Sequence, residues 1–239
     1  STRPKISVEK FNNLYFFLFL TKERQLRPKI KYENAVRAQV LLSKKVKVEP
    51  LSLPKESFIG GVDVAYKKNV GIATYVLTKY GSKKLENVDY TTVDNLPPYV
   101  PGLFYLREAP PILKVLSRQV EKPHILFING HGLAHPRKIG LASYIGVVLN
   151  VPTIGVAKNL LYGKVDRSIQ PPLIFVDELA VGAVLRTKGR GEIYISIGHR
   201  VTLDDAIRVV SDNLFDLALP APLWYADKLS KEALASKIS

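Results

Sequence analysis

A chain of 239 residues with 46% hydrophobic content can bury one substantial core and would be long for two domains, so a single α/β domain is expected. Its formal charge of +14 makes nucleic acid the first partner to consider, because excess Lys and Arg displace condensed counterions from phosphates; a basic face kept for solubility is the alternative. The absence of Cys excludes disulfides, thiolate metal sites and a cysteine nucleophile.

Residues 1 to 50 carry 12 Lys/Arg against 4 Asp/Glu, a net of +8. Residues 1–30 therefore read as a basic N-terminal extension ahead of a domain at 31–239. Met is absent even at position 1, so residue 1 is not expected to be a translation start. The run Leu14-Tyr15-Phe16-Phe17-Leu18-Phe19-Leu20 is shorter than the roughly 20 residues a membrane span needs, and no small-residue cleavage site follows it. It is expected to pack locally, an interfacial anchor being the alternative, in a soluble, cytoplasmic protein with no membrane partner.

Tyr32 to Val46 places Ala35, Ala38, Leu42 and Val46 at steps of three and four, which predicts a helix. Phe58 to Ala65, Gly71 to Thr78 and Leu85 to Val93 are β-rich runs separated by turn residues and predict an antiparallel meander with Asp63 on its first strand. Pro97 to Gly102 is a stiff loop, and the helical stretch from Leu103 is expected to break or restart at Pro110 and Pro111. His124 to Ile128, Ile139 to Leu149 and Thr153 to Val156 alternate strand, helix, strand, which predicts parallel pairing. Strands near Ala180 to Arg186 and Glu192 to Ile197 and helices from about Leu203 and Leu223 complete the chain. This order is that of a ribonuclease H-like α/β architecture, a mixed sheet flanked by helices.

Hydrolysis of a phosphodiester with Mg²⁺ needs oxygen ligands, usually carboxylates in apolar or glycine-rich surroundings. Asp63 in Ile59-Gly60-Gly61-Val62-Asp63-Val64-Ala65 is the best candidate, because an ionised side chain there is costly unless paired or metal-bound. An outward-facing polar residue on an alternating strand is the alternative. Glu108 follows an arginine that can simply neutralise it, and Asp227 can equally be an acidic residue in the first turn of a helix. His135 and Lys158 can bind phosphate, and Tyr99, set between prolines, can stack on a base or wedge between bases; a satisfied histidine, a solvated lysine and a core tyrosine are equally open. Gly130, Gly132 and Gly140 either admit a ligand close to the backbone or make turns.

Four motifs in a common order resemble the endonuclease V family over about residues 36 to 235. They are Gly61-Val62-Asp63; Pro98-Tyr99-Val100-Pro101-Gly102 followed by Leu106-Arg107-Glu108-Ala109-Pro110; Asn129-Gly130-His131-Gly132-Leu133-Ala134-His135-Pro136-Arg137; and Pro152-Thr153-Ile154-Gly155-Val156-Ala157-Lys158. The resemblance implies a Mg²⁺-dependent repair endonuclease, with Mn²⁺ as substitute, acting on DNA or RNA containing inosine; the sequence leaves the oligomeric state open, with a monomer expected. It implies hydrolysis of the second phosphodiester on the 3′ side of the lesion, leaving 3′-hydroxyl and 5′-phosphate ends. By the same resemblance Asp63 and Glu108 are metal ligands, with Asn129 in the third ligand position, and Pro98, Tyr99, Val100, Pro101 and Gly102 form a wedge loop. The backbone of Gly130, His131 and Gly132 would read the hypoxanthine base, His135, Arg137 and Lys158 would complete the nucleic-acid contacts, and Asp227 falls where relatives carry a histidine or an acid.

The departure is Asn129, where the family carries aspartate. An amide keeps the size and one oxygen ligand but removes a full negative charge, so weak cutting with retained substrate binding is expected. The exchange fits an inactivating substitution, a natural change compensated by Asp227 and water, or a catalytically silent inosine-binding module.

Overall fold

The first of the predicted strands is long and apolar enough to be buried on both faces, and the sheet grows outward from it. β1 (Phe58–Lys67), β2 (Val70–Lys79) and β3 (Leu85–Val93) form the antiparallel meander, with Asp63 opposite Thr74. On the other side of β1, β4 (Ile125–Asn129) and then β5 (Thr153–Ala157) pair in parallel. Beyond them lie β6 (Lys164–Asp166), β7 (Leu173–Val176), β8 (Leu179–Thr187) and β9 (Gly191–His199), giving the sheet order β3-β2-β1-β4-β5-β9-β8-β7-β6. This computed structural model describes residues 32–54, 56–188 and 191–238. The basic extension at 1–30 and the Leu14–Leu20 run lie outside the described residues.

Helices cover both faces of the sheet. α1 (Tyr32–Ser43), α2 (Tyr105–Leu116) and α3 (Leu141–Leu149) pack over Val62, Val64, Leu126 and Ile128. α4 (Leu203–Leu214) packs over Ile59, Ile125, Phe127 and Ile154, joined by Leu223 of α5 (Ala221–Ile238). Alternation along β1 therefore turns Val62 and Val64 to the α2 face and Ile59, Gly61 and Asp63 to the α5 face. Thr202 caps α4 by accepting from Asp205 N at 3.2 Å, with Asp204 and Asp205 in the positive first turn. Among the described residues no helix is long and apolar enough to cross a membrane.

Several expectations change. α1 ends at Ser43 rather than Val46, because the chain tightens into i→i+3 bonds, Lys45 N to Leu42 O at 2.9 Å and Val46 N to Ser43 O at 3.2 Å. Its buried residues are Ala35 and Gln39, while Ala38, Leu42 and Val46 are half-buried. α2 runs unbroken through Pro110 and Pro111. The two prolines remove two ladder donors, but their φ suits a helix, and the burial of Leu106, Ala109, Pro111, Ile112 and Val115 against the sheet outweighs that loss. β6 and β7 were not foreseen; they are three and four residues long and carry too little pattern to read.

Candidate active site

Asp63 sits where β1 is buried on both sides, and it is 5% exposed, which removes the reading of a solvent-facing polar residue. The approach of α5 to β1 depends on Gly61, where a Cβ would stand 2.3 Å from the Pro222 carbonyl carbon. That contact seats α5 over the strand, and Ser230 Oγ donates to Asp63 Oδ2 at 2.8 Å. Parallel pairing of Val62 with Ile128 brings the next residue of β4, Asn129, beside Asp63. The Asn129 amide donates from Nδ2 to Asp63 Oδ1 at 2.6 Å, so both carboxylate oxygens are held by neutral donors.

Burial raises the Asp63 pKa from its ordinary 3.8; the bonds from Ser230 and Asn129 oppose the rise and the charge of Asp227 adds to it. Glu108, 4% exposed on α2, is held well above its ordinary 4.5, first by burial and then by the charge of Asp63, with Arg107 opposing. Arg107 is beside Glu108 in sequence, but its guanidinium is directed at the carbonyls of Pro97 and Lys68. Two desolvated carboxyls that influence each other and form no ion pair among the described residues are an arrangement that a divalent ion would relieve. Among the described residues no group of three or more His, Cys, Asp or Glu could hold a metal ion; the group beside Asp63 is the Asn129 amide.

Asp227 lies in the interior of α5 rather than its first turn, so its alternative reading as a dipole-matching residue falls away. Its Oδ1 is 2.7 Å from Lys231 Nζ and its Oδ2 is 3.5 Å from Lys158 Nζ. Lys158 keeps a half-exposed side chain. Tyr66, at the end of β1, has its pKa raised first by burial and then by the charge of Glu108, and its ring lies against the Arg107 guanidinium at 4.3 Å.

Tyr99 in the Pro98–Gly102 loop is 55% exposed and packs edge-on against Phe104 at 5.7 Å. The loop after β4 is tightly built: a Cβ on Gly132 would meet Ile197 O at 1.9 Å, and one on Gly140 would meet His131 O at 2.2 Å. Gly130 adopts φ of 152°. His131 Nε2 is 2.9 Å from the Asn159 carbonyl, which can only accept, so Nε2 carries the proton and the buried Nδ1 is left without a partner. His135 is 3% exposed, and burial lowers its pKa to about 4, leaving it neutral; its Nδ1 accepts from Arg137 N at 3.1 Å. Arg137 Nη2 donates to Gly102 O at 2.6 Å. Both groups, expected to meet nucleic acid, thus have partners inside the protein.

The structure brings Asp63, Glu108, Asn129, Asp227 and Lys158 into one linked site. It adds three residues that sequence patterns did not single out: Ser230, Gln39 and Tyr66. A serine mid-helix and a glutamine on α1 carry no local signal, since what they do depends on partners 167 and 63 residues away. Tyr66 had one clue, its place three residues after Asp63 at the end of the same strand.

A profile of the family described as Endonuclease V matches residues 40–228. An endonuclease V of Desulfurococcus amylolyticus is 40% identical over 208 residues, covering 84% of this chain and 94% of that protein. The crystal structure of an endonuclease V from Streptomyces avermitilis superposes with a TM-score of 0.81 at 32% identity, covering 89% of this chain and 96% of that one. A Ciona intestinalis endonuclease V, solved with a 24mer DNA containing an inosine followed by a ribo-adenosine, has the same fold with a TM-score of 0.75 at 24% identity, over 87% and 99% of the two chains. With that profile spanning most of the carboxylate-bearing fold, the chain belongs to the endonuclease V family of nucleases.

Proposed function

We propose that this chain is a metal-dependent endonuclease for inosine-containing DNA or RNA whose cutting is impaired by Asn129. The observation that carries the reading is the pair of buried carboxyls, Asp63 and Glu108, which form no ion pair among the described residues, with Asn129 bonded to Asp63. One or two carboxylates with a neutral oxygen donor suit Mg²⁺, with Mn²⁺ as substitute. When bound, the ion would supply Lewis-acid polarisation of the phosphate and a more acidic water. Asp63 and Glu108 would hold it, and Ser230 orients Asp63 by its bond to Oδ2. Asn129 offers one amide oxygen without charge, and its amide nitrogen occupies Asp63 Oδ1. Lys158, half-exposed beside Asp227, would meet a phosphate. Tyr99 on its proline loop would enter the base stack, and the motif resemblance supports inosine as the base and the second 3′ phosphodiester as the bond.

The Asn129–Asp63 bond also favours a second reading, an inosine-binding module that no longer cuts. Cleavage of end-labelled single-inosine DNA and RNA strands in Mg²⁺, comparing this chain with Asn129→Asp, decides between them. Cutting beside inosine restored by Asn129→Asp supports the nuclease with a disabled metal site. Equal cutting by both forms makes Asn129 a working ligand. Selective binding with no cutting by either form establishes the binding module.

A further inference from the structure

The loop that carries Tyr99 is gripped at both ends by arginines. At its entry, Arg107 Nη1 donates to Pro97 O at 2.6 Å, Nη2 donates to Lys68 O in the β1–β2 turn, and the guanidinium lies over the Tyr66 ring at 4.3 Å. At its exit, Arg137 Nη2 donates to Gly102 O and Nε donates to Gln39 Oε1, each at 2.6 Å. Gln39, 1% exposed on α1, donates Nε2 to the same Gly102 carbonyl at 3.1 Å, and the His135 ring bonds the Gly102 backbone. Gly102 is required twice over: its φ is +73°, and a Cβ there would stand 2.8 Å from Arg137 Nη2.

Burying a guanidinium is costly, and Arg107 is 6% exposed with its Nε left unpartnered. A chain that places buried cations on loop carbonyls gains shape, since a planar fork bonded at two points holds them in one geometry. Between the anchors Pro98 and Pro101 restrict φ, so the exposed Tyr99 stands on a short stiff arch. Arg107 and Glu108 are consecutive on α2, so one helical turn sets both the entry of the arch and one carboxyl of the site.

We propose that Arg107, Arg137 and Gln39 are positioning residues that clamp the two ends of the Pro98–Gly102 loop, so that Tyr99 enters a nucleic-acid stack as a rigid wedge in register with Asp63 and Glu108. The proposal rests on the reading of Tyr99 as a wedge. Arg137 acts here through Gly102 rather than by touching phosphate, and Arg137→Lys separates the two, because lysine keeps the charge but cannot bridge Gln39 and Gly102.

The test uses the full chain in metal-free buffer and a duplex with 2-aminopurine next to inosine, whose fluorescence rises on unstacking. Tyr99→Ala, Arg137→Lys and Gln39→Met are each expected to lose most of the rise, and Arg137→Lys and Gln39→Met are expected to bind an inosine single strand with unchanged affinity and salt slope. Adding Arg137→Lys to Tyr99→Ala is expected to cost nothing further. Folding is checked by melting, and Arg137→Lys carries the test if Gln39→Met does not fold. A rise kept by Arg137→Lys and Gln39→Met but lost by Tyr99→Ala overturns the clamp and leaves the wedge. A rise kept by Tyr99→Ala overturns the wedge, and the clamp's role with it. A salt slope reduced by about one in Arg137→Met, with the rise intact in Arg137→Lys, makes Arg137 a phosphate contact and also overturns the clamp.

Discussion

Asp63 and Asp227 belong to one site and both meet Ser230, which donates to Asp63 and is 3.1 Å from the Asp227 carbonyl, yet their surroundings are opposite. Asp63 is buried among neutral donors, the Asn129 amide, the Ser230 hydroxyl and the Val64 backbone, and burial raises its pKa. Asp227 has a lysine on each oxygen and a side chain 17% exposed. Among the described residues one carboxylate forms no ion pair and the other forms two. The contrast separates a charge-poor place, whose desolvation a divalent ion would relieve, from a place already paired by the protein, although both are aspartates within the same fold.

The strongest way to sharpen the contrast is Asn129→Asp, which adds a charge where cations are missing. Cleavage of an inosine strand in Mg²⁺ is expected to rise by about 100-fold or more, the upper end of what even outer-shell changes cost metal enzymes. The same variant should melt lower in EDTA and gain more from Mg²⁺; equal rates in both forms would show that the missing charge does not matter. Next in size is Ser230→Ala in the Asn129→Asp background, expected to weaken Mg²⁺ affinity by about 10- to 100-fold, with Ser230→Thr restoring it. A lower melting temperature with unchanged metal affinity would make Ser230 merely structural.

The pH dependence of metal-free stability is a smaller and more direct probe. Glu108 and Asp63 have pKa values raised by folding, so their favourable contribution is complete below the unfolded values near 4 and is lost as pH rises through the raised folded values. His135 and His199, lowered to about 4 mainly by burial, act the other way: stability is lost as pH falls from 6.5 toward 4. Comparing Glu108→Gln with its parent cancels the histidines. In EDTA the variant should be the more stable form at neutral and alkaline pH, with the gap closing toward pH 4, and Mg²⁺ should close it by stabilising the parent. Superimposable melting curves across pH would remove Glu108 from the charge-poor site. The smallest effect belongs to Lys231→Met, because an exposed lysine on an i,i+4 pair contributes about 0–1 kcal/mol. A large drop in stability or in metal affinity would erase the distinction between the two aspartates.

Much of this arrangement was legible in the residues. The meander of β1 to β3 and the parallel β4 and β5 follow from alternating and apolar runs, and Asp63, Glu108, Asn129 and Asp227 were visible as acids or their substitute in apolar motifs. What local pattern misjudged was the buried face of α1, which carries Gln39 rather than Ala38 and Leu42, and the continuity of α2 through two prolines. Both are decided by packing against other elements, where burial of one face overrides what propensity alone prefers. His135 and Arg137 show the same limit, since a basic motif looks alike whether its groups face phosphate or hold a loop.

The sequence by itself determined the family, the strand and helix pattern around β1, and the position where an amide replaces the expected carboxylate. Only the tertiary structure decided which acids lie without a cation, that Ser230 of α5 holds Asp63 of β1, and that Gln39, Arg107 and Arg137 grip the two ends of the Tyr99 loop. The reason is physical: residue type and spacing record the strand and helix periods, whereas the burial of a polar residue and the charge and hydrogen-bond partners it meets come from elements far along the chain.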